Sequence, residues 1–430
     1  MVIASQEQFN DFAQGLREPG WFLDHRKAAL ARMLAAQIPD FRQGLLSGIS
    51  FPEKFELSDI TPENGRHDST VAIEYDKSSG VSIFSSSEVS QAMPAESAAL
   101  FKAFLTEDWM HDADALAWHQ QAFANDALFI RIPKDCAVSK PILITYSCGA
   151  KPLLASIFVL AEKGSSAKLI MIKKSAVQKV KKSGEGGRKI NEGDDHNYSG
   201  NQSYVSEDLR VFAVGDNEIE VTAVQALDDS SVIVQRRTSW QGKQAAVKWD
   251  DVCIGGAFCR SEVISILAEK GSSTKSVSSF IVGERKRFML SNSALHKSQF
   301  TVSSLLTRGA LAQESKVFSK GLIRIDPEAS GSEGFQKQDA LLLGKGAEAA
   351  AMPNLEIMND DVKCGHGVSI SDIDDGRMAY LMSRGLDERA AAQLIVEGFL
   401  LPAIELITDI SLRSLLFSAV RAAVARTGRG

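Results

Sequence analysis

The chain has 430 residues, of which 44% are hydrophobic and 24% charged, a composition typical of a soluble globular protein with about three structural units. Its formal net charge of -6 disfavours nucleic-acid binding, which usually relies on a basic surface. The sequence has no apolar run long enough for a transmembrane helix, and residues 1–10 lack the apolar stretch of a secretory signal. We therefore expect a cytoplasmic protein without membrane contact.

The first part of the chain, residues 1–126, has the pattern of a helical region. Apolar side chains recur at helical intervals in residues 21–38, and residues 96–128 show a similar spacing. The segment between them, residues 50–93, is less regular and is compatible with short strands.

The pattern changes near Ala127, from where short runs rich in β-branched residues follow one another to about Leu355. No long amphipathic helix separates them, which disfavours a doubly wound α/β fold. Two nearly identical segments, LAEKGSSAK at 160–168 and LAEKGSSTK at 267–275, each follow an apolar run and place a glycine where a strand would turn. Recurrent strand–turn units favour a stacked solenoid, although a β-sandwich also fits the pattern.

A polar segment, residues 175–206, interrupts the strands and is rich in Lys, Gly, Ser, Asn and Asp. This composition predicts a flexible surface insertion. Its lysine cluster, Lys179, Lys181 and Lys182, is interpreted as part of a solvated loop, with a phosphate-binding patch as the alternative.

The C-terminal part is predicted to be helical again. One helix ends at Gly385, a second spans residues 388–400, and a third, amphipathic helix begins at Ser411. This last helix either packs on its own domain or forms a docking face for a partner.

Three motifs in residues 352–399 resemble the C-terminal signature of the SufB/SufD family of iron–sulfur cluster assembly scaffold proteins. They are PNLEI at 353–357, DDVKCGHG at 360–367 and YLMSRG at 380–385. Weaker similarity extends back to about Ala127, whereas the N-terminal third departs from the family pattern.

The chain resembles SufD more than SufB, because glycines flank His366 and no cysteine stands near Gln338. The stretch GFLLP at 398–402 is closer to SufB, so a divergent homologue of the two remains open.

The resemblance implies a mainly β protein: a right-handed parallel β-helix over residues 127–365, flanked by the N-terminal helical region and a C-terminal helical domain over residues 366–430. It further implies a non-catalytic scaffold subunit that pairs with a SufB-type paralogue or with itself. A SufC-type ABC ATPase would dock on the C-terminal helices, at a face that includes Arg384, Gly385, Glu397 and Phe399.

Cys364 and His366 are the candidate metal ligands. Their spacing of two residues places both side chains on one face of a strand, and thiolate and imidazole both bind iron. The resemblance makes them candidate ligands of a transient iron ion or nascent iron–sulfur cluster. The alternative is a buried cysteine and a histidine that caps the next helix.

Other candidates for chemistry are weaker. His296 is interpreted as a surface or core residue, with a position that faces a paired subunit as the alternative. Cys253 and Cys259 are interpreted as small core residues about 20 Å apart on one strand. The sequence has neither a Walker motif nor a G-x-S-x-G elbow, so we expect no ATP site on this chain. The alternative functions are a β-helix enzyme acting on polysaccharide and a purely structural adaptor.

Overall fold

The computed structural model describes residues 5–14, 16, 18–36, 67–106, 113–176, 203–344 and 346–404, together with 413, 414, 417, 418, 420, 421 and 424. Its helices are α1 (Gln6–Gln14), α2 (Gly20–Ala35), α3 (Val89–Ala92), α4 (Ala95–Thr106), α5 (Ala115–Phe123), α6 (Asp375–Ser383) and α7 (Glu388–Ile404). The first nine strands are β1 (Thr70–Glu74), β2 (Ser82–Ser85), β3 (Asp126–Ile132), β4 (Ile142–Cys148), β5 (Leu153–Ala161), β6 (Ser166–Ser175), β7 (Tyr204–Gly215), β8 (Glu218–Ala226) and β9 (Val232–Lys243). The next nine are β10 (Ala246–Cys253), β11 (Phe258–Leu267), β12 (Ser273–Val282), β13 (Arg287–His296), β14 (Val302–Leu311), β15 (Lys316–Ile325), β16 (Ser332–Leu342), β17 (Glu348–Ile357) and β18 (Val362–Asp372).

The strands from β3 onward alternate between two nine-stranded sheets. The even sheet contains β1 and the even-numbered strands from β4 to β18, and the odd sheet contains β2 and the odd-numbered strands from β3 to β17. Within each sheet the strands from β3 to β18 pair in parallel, so that each coil of chain adds one strand to each sheet. The predicted parallel β-helix with helical ends is confirmed, and the β-sandwich is excluded.

The two LAEKGSS segments occupy equivalent places in this solenoid. The first leads out of β5 and the second out of β11, both in the odd sheet. Gly164 and Gly271 have φ angles of 73° and 74°, a left-handed conformation that glycine adopts without steric cost. The serines that follow them, Ser165 and Ser272, are fully buried at the entry to the next strand.

Helices cover the outer face of each sheet. On the odd sheet, Phe22 of α2 and Phe101 of α4 pack edge-on against Phe129 of β3, with ring centroids 5.3 and 5.4 Å apart. On the even sheet, α7 buries a cluster that includes Val396 and Leu341. Since alternate strand residues point into the solenoid, each sheet has one apolar face inside and a second under helices.

The two ends of the solenoid differ. At the closed end, β1 runs antiparallel to β4 and β2 runs antiparallel to β3, each as the last strand of its sheet. At the open end, β17 and β18 each pair on one side only within the described residues.

Some boundaries differ from the sequence-based expectation. The predicted helix over residues 96–128 is wrong: it divides into α4 and α5, and β3 begins at Asp126, so its apolar C-terminal part is a buried strand. Strand β18 continues to Asp372, beyond residue 365, while the division into three domains stays a prediction.

Two predicted features lie partly outside the described residues. Residues 177–202, which include the lysine cluster of the predicted insertion, are not described, and residues 175 and 204–206 belong to β6 and β7. Of the third C-terminal helix, the described positions 413, 414, 417, 418, 420, 421 and 424 are helical, and Val420 and Val424 are buried in the cluster under α7. Among the described helices, none has the length and apolar character needed to span a membrane.

Candidate functional site

Cys364 and His366 lie in β18, the last strand of the even sheet at the open end. In the parallel register, Cys364 is opposite Gly334 and His366 is opposite Gln336, whose side chain is buried inside the solenoid. Residues paired in this way share a face, so both candidate ligands point toward the solenoid axis, with Cα atoms about 7 Å apart. His366 is exposed there because no further described coil covers it.

Cys364 is the more enclosed of the two ligands. It packs against an apolar cluster that includes Ala294, Leu305 and Ile323. Burial raises the pKa of its thiol, although a hydrogen bond with the backbone of Gly334 acts in the opposite direction. Because a metal ligand must be a thiolate, the raised pKa weakens Cys364 as an iron ligand and favours its role in packing.

The open end exposes apolar side chains on both of its strands. Val368 and Ile370 follow on the same face of β18, and Met352 and Ile357 are exposed on β17. An edge strand with exposed apolar side chains can pair with a strand of another chain, unless charged residues or a covering segment block its edge. The open end therefore has the character of an interface with a histidine in its middle.

The donor set at the open end is incomplete for a metal. Within the described part of the chain, no group of three His, Cys, Asp or Glu residues could hold an ion. Cys364 and His366 supply two donors at most, whereas iron in protein sites usually has four or more ligands. A complete site here requires donors from another molecule.

The predicted docking residues divide into two groups. Arg384 and Gly385 lie on the exposed turn after α6, where Gly385 has a φ angle of 97° and the Arg384 guanidinium lies 5.2 Å from the centre of the Tyr380 ring. Phe399, in contrast, lies beneath the guanidinium of Arg308 from β14, 5.2 Å from its ring centre, and so holds α7 on the even sheet.

Glu397 is also engaged within the chain. Its carboxylate accepts a hydrogen bond of 2.7 Å from Gln393 and lies 3.8 Å from the guanidinium of Arg421. The exposed turn after α6, rather than Glu397 or Phe399, is thus the part of this set that is free to meet a partner's surface.

His296 faces the interior of the solenoid, so the alternative that it faces a paired subunit is wrong. Its Nδ1 lies 2.7 Å from the Thr301 hydroxyl and its Nε2 lies 2.8 Å from the Ser303 hydroxyl. Burial lowers the pKa of the imidazole to about 4, although a hydrogen bond with Thr301 acts in the opposite direction. The ring is neutral at physiological pH.

Cys253 and Cys259 are both fully buried in the core, as predicted, but the separation of about 20 Å on one strand is wrong. Cys253 is the last residue of β10 and Cys259 is the second residue of β11, and their thiols form a hydrogen bond. The hydrogen bond with Cys259, together with burial, raises the pKa of Cys253 well above its usual value. The Cys253 thiol is therefore a protonated packing group, and Cys259 is buried beside it in the core.

The sequence-based reasoning missed a buried charge cluster inside the solenoid. Glu207 pairs with Lys173 and with Arg237 (3.1 Å), and Arg237 pairs with Asp251 (2.5 Å); all four side chains are buried. Although burial alone would raise the pKa of Glu207, the charges of Lys173 and Arg237 hold it below its usual value. The sequence did contain a signal for this cluster: a carboxylate between two apolar residues on the same, inward face of a strand, as in YVSEDL at 204–209.

Comparison with known proteins gives a consistent result. The family model described as SUF system FeS cluster assembly, SufBD core domain, matches residues 185–399. The iron–sulfur cluster assembly protein SufD of Escherichia coli is 33% identical over 125 residues, which cover 29% of this chain and 30% of that protein. SufB of Bacillus subtilis is 26% identical over 170 residues (40% of this chain, 36% of that protein), and the SufBD family protein ycf24 of Porphyra purpurea is 26% identical over 199 residues (44% and 41%). The matched part thus spans less than half the length of each of these relatives.

Proposed function

This chain belongs to the SufBD core family of the SUF iron–sulfur cluster assembly system, and on that premise we propose that it is a non-catalytic, SufD-type scaffold subunit in the cytoplasm. The matched residues 185–399 extend from before β7 through β18 and α6 into α7, and therefore include the whole open end.

The observation that carries this proposal is the open end itself. The strands β17 and β18 have unsatisfied outer edges within the described residues, and the apolar side chains of Val368 and Ile370 are exposed beyond His366 on the same face of β18. A second solenoid that adds its own terminal strands would continue both sheets and cover these side chains. The partner is a SufB-type paralogue or a second copy of this chain.

His366 is the proposed ligand on this chain. Imidazole is a suitable donor to iron, and the exposed position on the edge strand would place it at the boundary between the two subunits. Cys364 is the weaker candidate because its thiol is partly buried with a raised pKa. Iron and sulfide are the cargo of this site, and the donors still needed come from the partner.

The C-terminal helices are the proposed docking face for a SufC-type ATPase. The exposed side of α6 and α7 combines Arg384 with the apolar side chains of Tyr380, Met382 and Leu394. Because the sequence lacks a Walker motif, ATP hydrolysis in such an assembly belongs to the ATPase.

The test is to co-express the chain with SufB-type and SufC-type subunits and to measure iron and acid-labile sulfide per complex under anaerobic conditions. His366→Ala should remove at least about half of the iron and sulfide without dissociating the complex, because one donor at a shared site is lost. Cys364→Ala should have a smaller effect. Arg384→Glu should release the ATPase and leave the pairing with the SufB-type subunit intact.

The matched control is Lys363→Ala, an exposed neighbour on the opposite face of β18. It should keep wild-type iron content. A wild-type complex that holds neither iron nor sulfide would contradict the scaffold role, and full loading of His366→Ala would leave this histidine without a role as ligand.

A further inference from the structure

The exposed methionines of this chain lie at the surfaces proposed for partner binding. Among the described residues, Met352 (38% exposed) and Met358 (45%) lie at the open end, and Met382 (46%) lies on α6. Met33 and Met171, in contrast, are completely buried, one under the N-terminal helices and the other in the solenoid core. A thioether is an apolar and adaptable group that is common on surfaces that bind other proteins.

The two methionines of the open end share one face of the edge strand. Met352 belongs to β17, and Met358 directly follows it, with its N–H donating a hydrogen bond of 2.9 Å to the carbonyl of Ile325 in β15. Ile325 is fully buried and pairs with Ile357, so the residues that alternate with Ile357 point to the outer face of the odd sheet. Met352 and Met358 are both in that set and lie about 20 Å apart.

The preceding coil has charged residues at the same two positions. Met352 is opposite Lys320, and Met358 is opposite Asp326 when the register of β17 is continued by one pair. Lys320 is exposed, and the carboxylate of Asp326 lies 2.7 Å from the ammonium of Lys297. Both positions are thus charged in the inner coil and apolar in the last coil. Such a change at an open edge indicates that another molecule covers the last coil.

We propose that Met352 and Met358 make the pairing of this chain sensitive to hydrogen peroxide. The inference rests on the proposed pairing with a SufB-type subunit at the open end. Peroxide transfers one oxygen atom to a thioether sulfur: the O–O bond breaks, an S–O bond forms, the sulfur loses two electrons, and the other oxygen leaves as water. The product is a sulfoxide, which is polar and accepts hydrogen bonds.

Oxidation and pairing oppose each other at this face. In the unpaired chain both thioethers are exposed to the oxidant. Once the sulfoxides have formed, pairing would remove them from water, and burial of a polar group without a hydrogen bond is unfavourable. In the assembled complex the partner covers the same sulfur atoms and slows their oxidation. Peroxide therefore keeps free subunits apart and leaves assembled complexes intact.

The test is peptide mass spectrometry of the unpaired full-length chain after peroxide treatment, followed by titration with a SufB-type subunit. We expect Met352 and Met358 to be oxidised at least about tenfold faster than the buried Met33 and Met171. The oxidised chain should pair at least about tenfold more weakly than the untreated chain. Full oxidation of both methionines without a loss of affinity would overturn the proposal.

A double variant separates these methionines from other oxidisable groups such as Cys364. Met352→Leu combined with Met358→Leu preserves volume and apolar character, so it should pair like the wild type and keep its affinity after peroxide treatment. Met382→Leu, the matched control on α6, should lose affinity after treatment as the wild type does. An equal loss in the double variant would assign the sensitivity to another group and refute the proposal.

The untreated chain distinguishes this inference from the proposed function. If the untreated wild-type chain does not pair with the SufB-type subunit, the pairing itself is refuted, and the inference with it. If it pairs equally well before and after oxidation of both methionines, only their role in peroxide sensitivity is refuted.

Discussion

At the closed end of the solenoid, β1 and β2 reverse direction relative to their neighbours, whereas at the open end β17 and β18 keep the parallel direction of the whole stack. The apolar side chains of the closed end, Ile73 and Ile83, pack against the core. Those of the open end, such as Val368 and Ile370, are exposed.

The direction of the terminal strands decides whether the solenoid ends or can be extended. A strand that reverses direction no longer offers the register that the next parallel coil would need, and here it covers the first coil with apolar side chains. A strand that keeps its direction offers its edge to a further strand in the same register. The end that carries His366 is the one that can be extended.

If the open edge is the pairing surface, a charge placed on it should disrupt pairing. We expect Val368→Lys to weaken association with the pairing subunit at least about a thousandfold, corresponding to about 4 kcal/mol, because an unpaired ammonium would be buried in the interface. Co-purification with a SufB-type subunit and sedimentation of the chain alone measure this loss.

Val302→Lys is the matched control for this substitution. Val302 is 44% exposed on the outer face of β14, and Val368 is 45% exposed on the open edge. The control should pair normally. A similar loss in both variants would mean that surface charge in general, rather than the edge, is responsible.

Local patterns favoured a solenoid, because the determinants of a coil are short, but they left a β-sandwich open, and it was the family resemblance that implied the parallel β-helix. The repeated LAEKGSS segment predicted a turn that recurs at the same point of two coils, and its two glycines have nearly the same φ angle. The spacing of Cys364 and His366 likewise predicted a shared face.

What the patterns missed depends on pairing between distant segments. The spacing of Cys253 and Cys259 gave the wrong distance because the turn that separates β10 from β11 lies between them. The contact of Phe399 with Arg308 also joins residues far apart in the chain. Neither the distance between the two cysteines nor this contact could be predicted from the sequence without knowing the register of the coils.

The pH dependence of stability reports whether the interior of the solenoid near the open end excludes water. His296 lies in β13, two strands from the edge of the odd sheet, and burial lowers the pKa of its ring to about 4, with the bond to Thr301 opposing this. Between about pH 6.5 and pH 4 the unfolded chain binds the extra proton and the folded chain does not. Its contribution, on the order of 3 kcal/mol, is thus complete above pH 6.5 and is lost as the pH falls toward 4.

Denaturant unfolding between pH 7 and pH 4 measures this dependence. His296→Gln should flatten it, since an amide can still bond the hydroxyls of Thr301 and Ser303 but does not titrate in this range. If water entered the solenoid from the open end, the ring would titrate normally and the variant would follow the wild-type profile.

The two ends should also differ in how much a lysine substitution lowers the free energy of unfolding, although this effect is smaller. Ile73→Lys at the closed end should lower the free energy of unfolding by about 2 kcal/mol, because it removes a partly buried side chain from the core. Ile370→Lys at the open end should leave the stability of the isolated chain within about 0.5 kcal/mol of wild type, since this side chain is already exposed. Thermal or urea unfolding of the unpaired chain provides both values, and equal losses would remove the distinction.

The stacking of coils also affects the order in which parts of the solenoid fold and unfold. Each strand of the solenoid bonds only to the strands one coil before and one coil after it, as β15 bonds to β13 and β17. Order can therefore spread from coil to coil, as in other linear arrays, with each finished coil serving as the template for the next. The last coil has a single neighbour among the described strands, so its release breaks one inter-coil interface where an inner coil would break two. We expect the amide protons of β18 to exchange with solvent sooner than those of the middle strands, until a second subunit turns the last coil into an inner one.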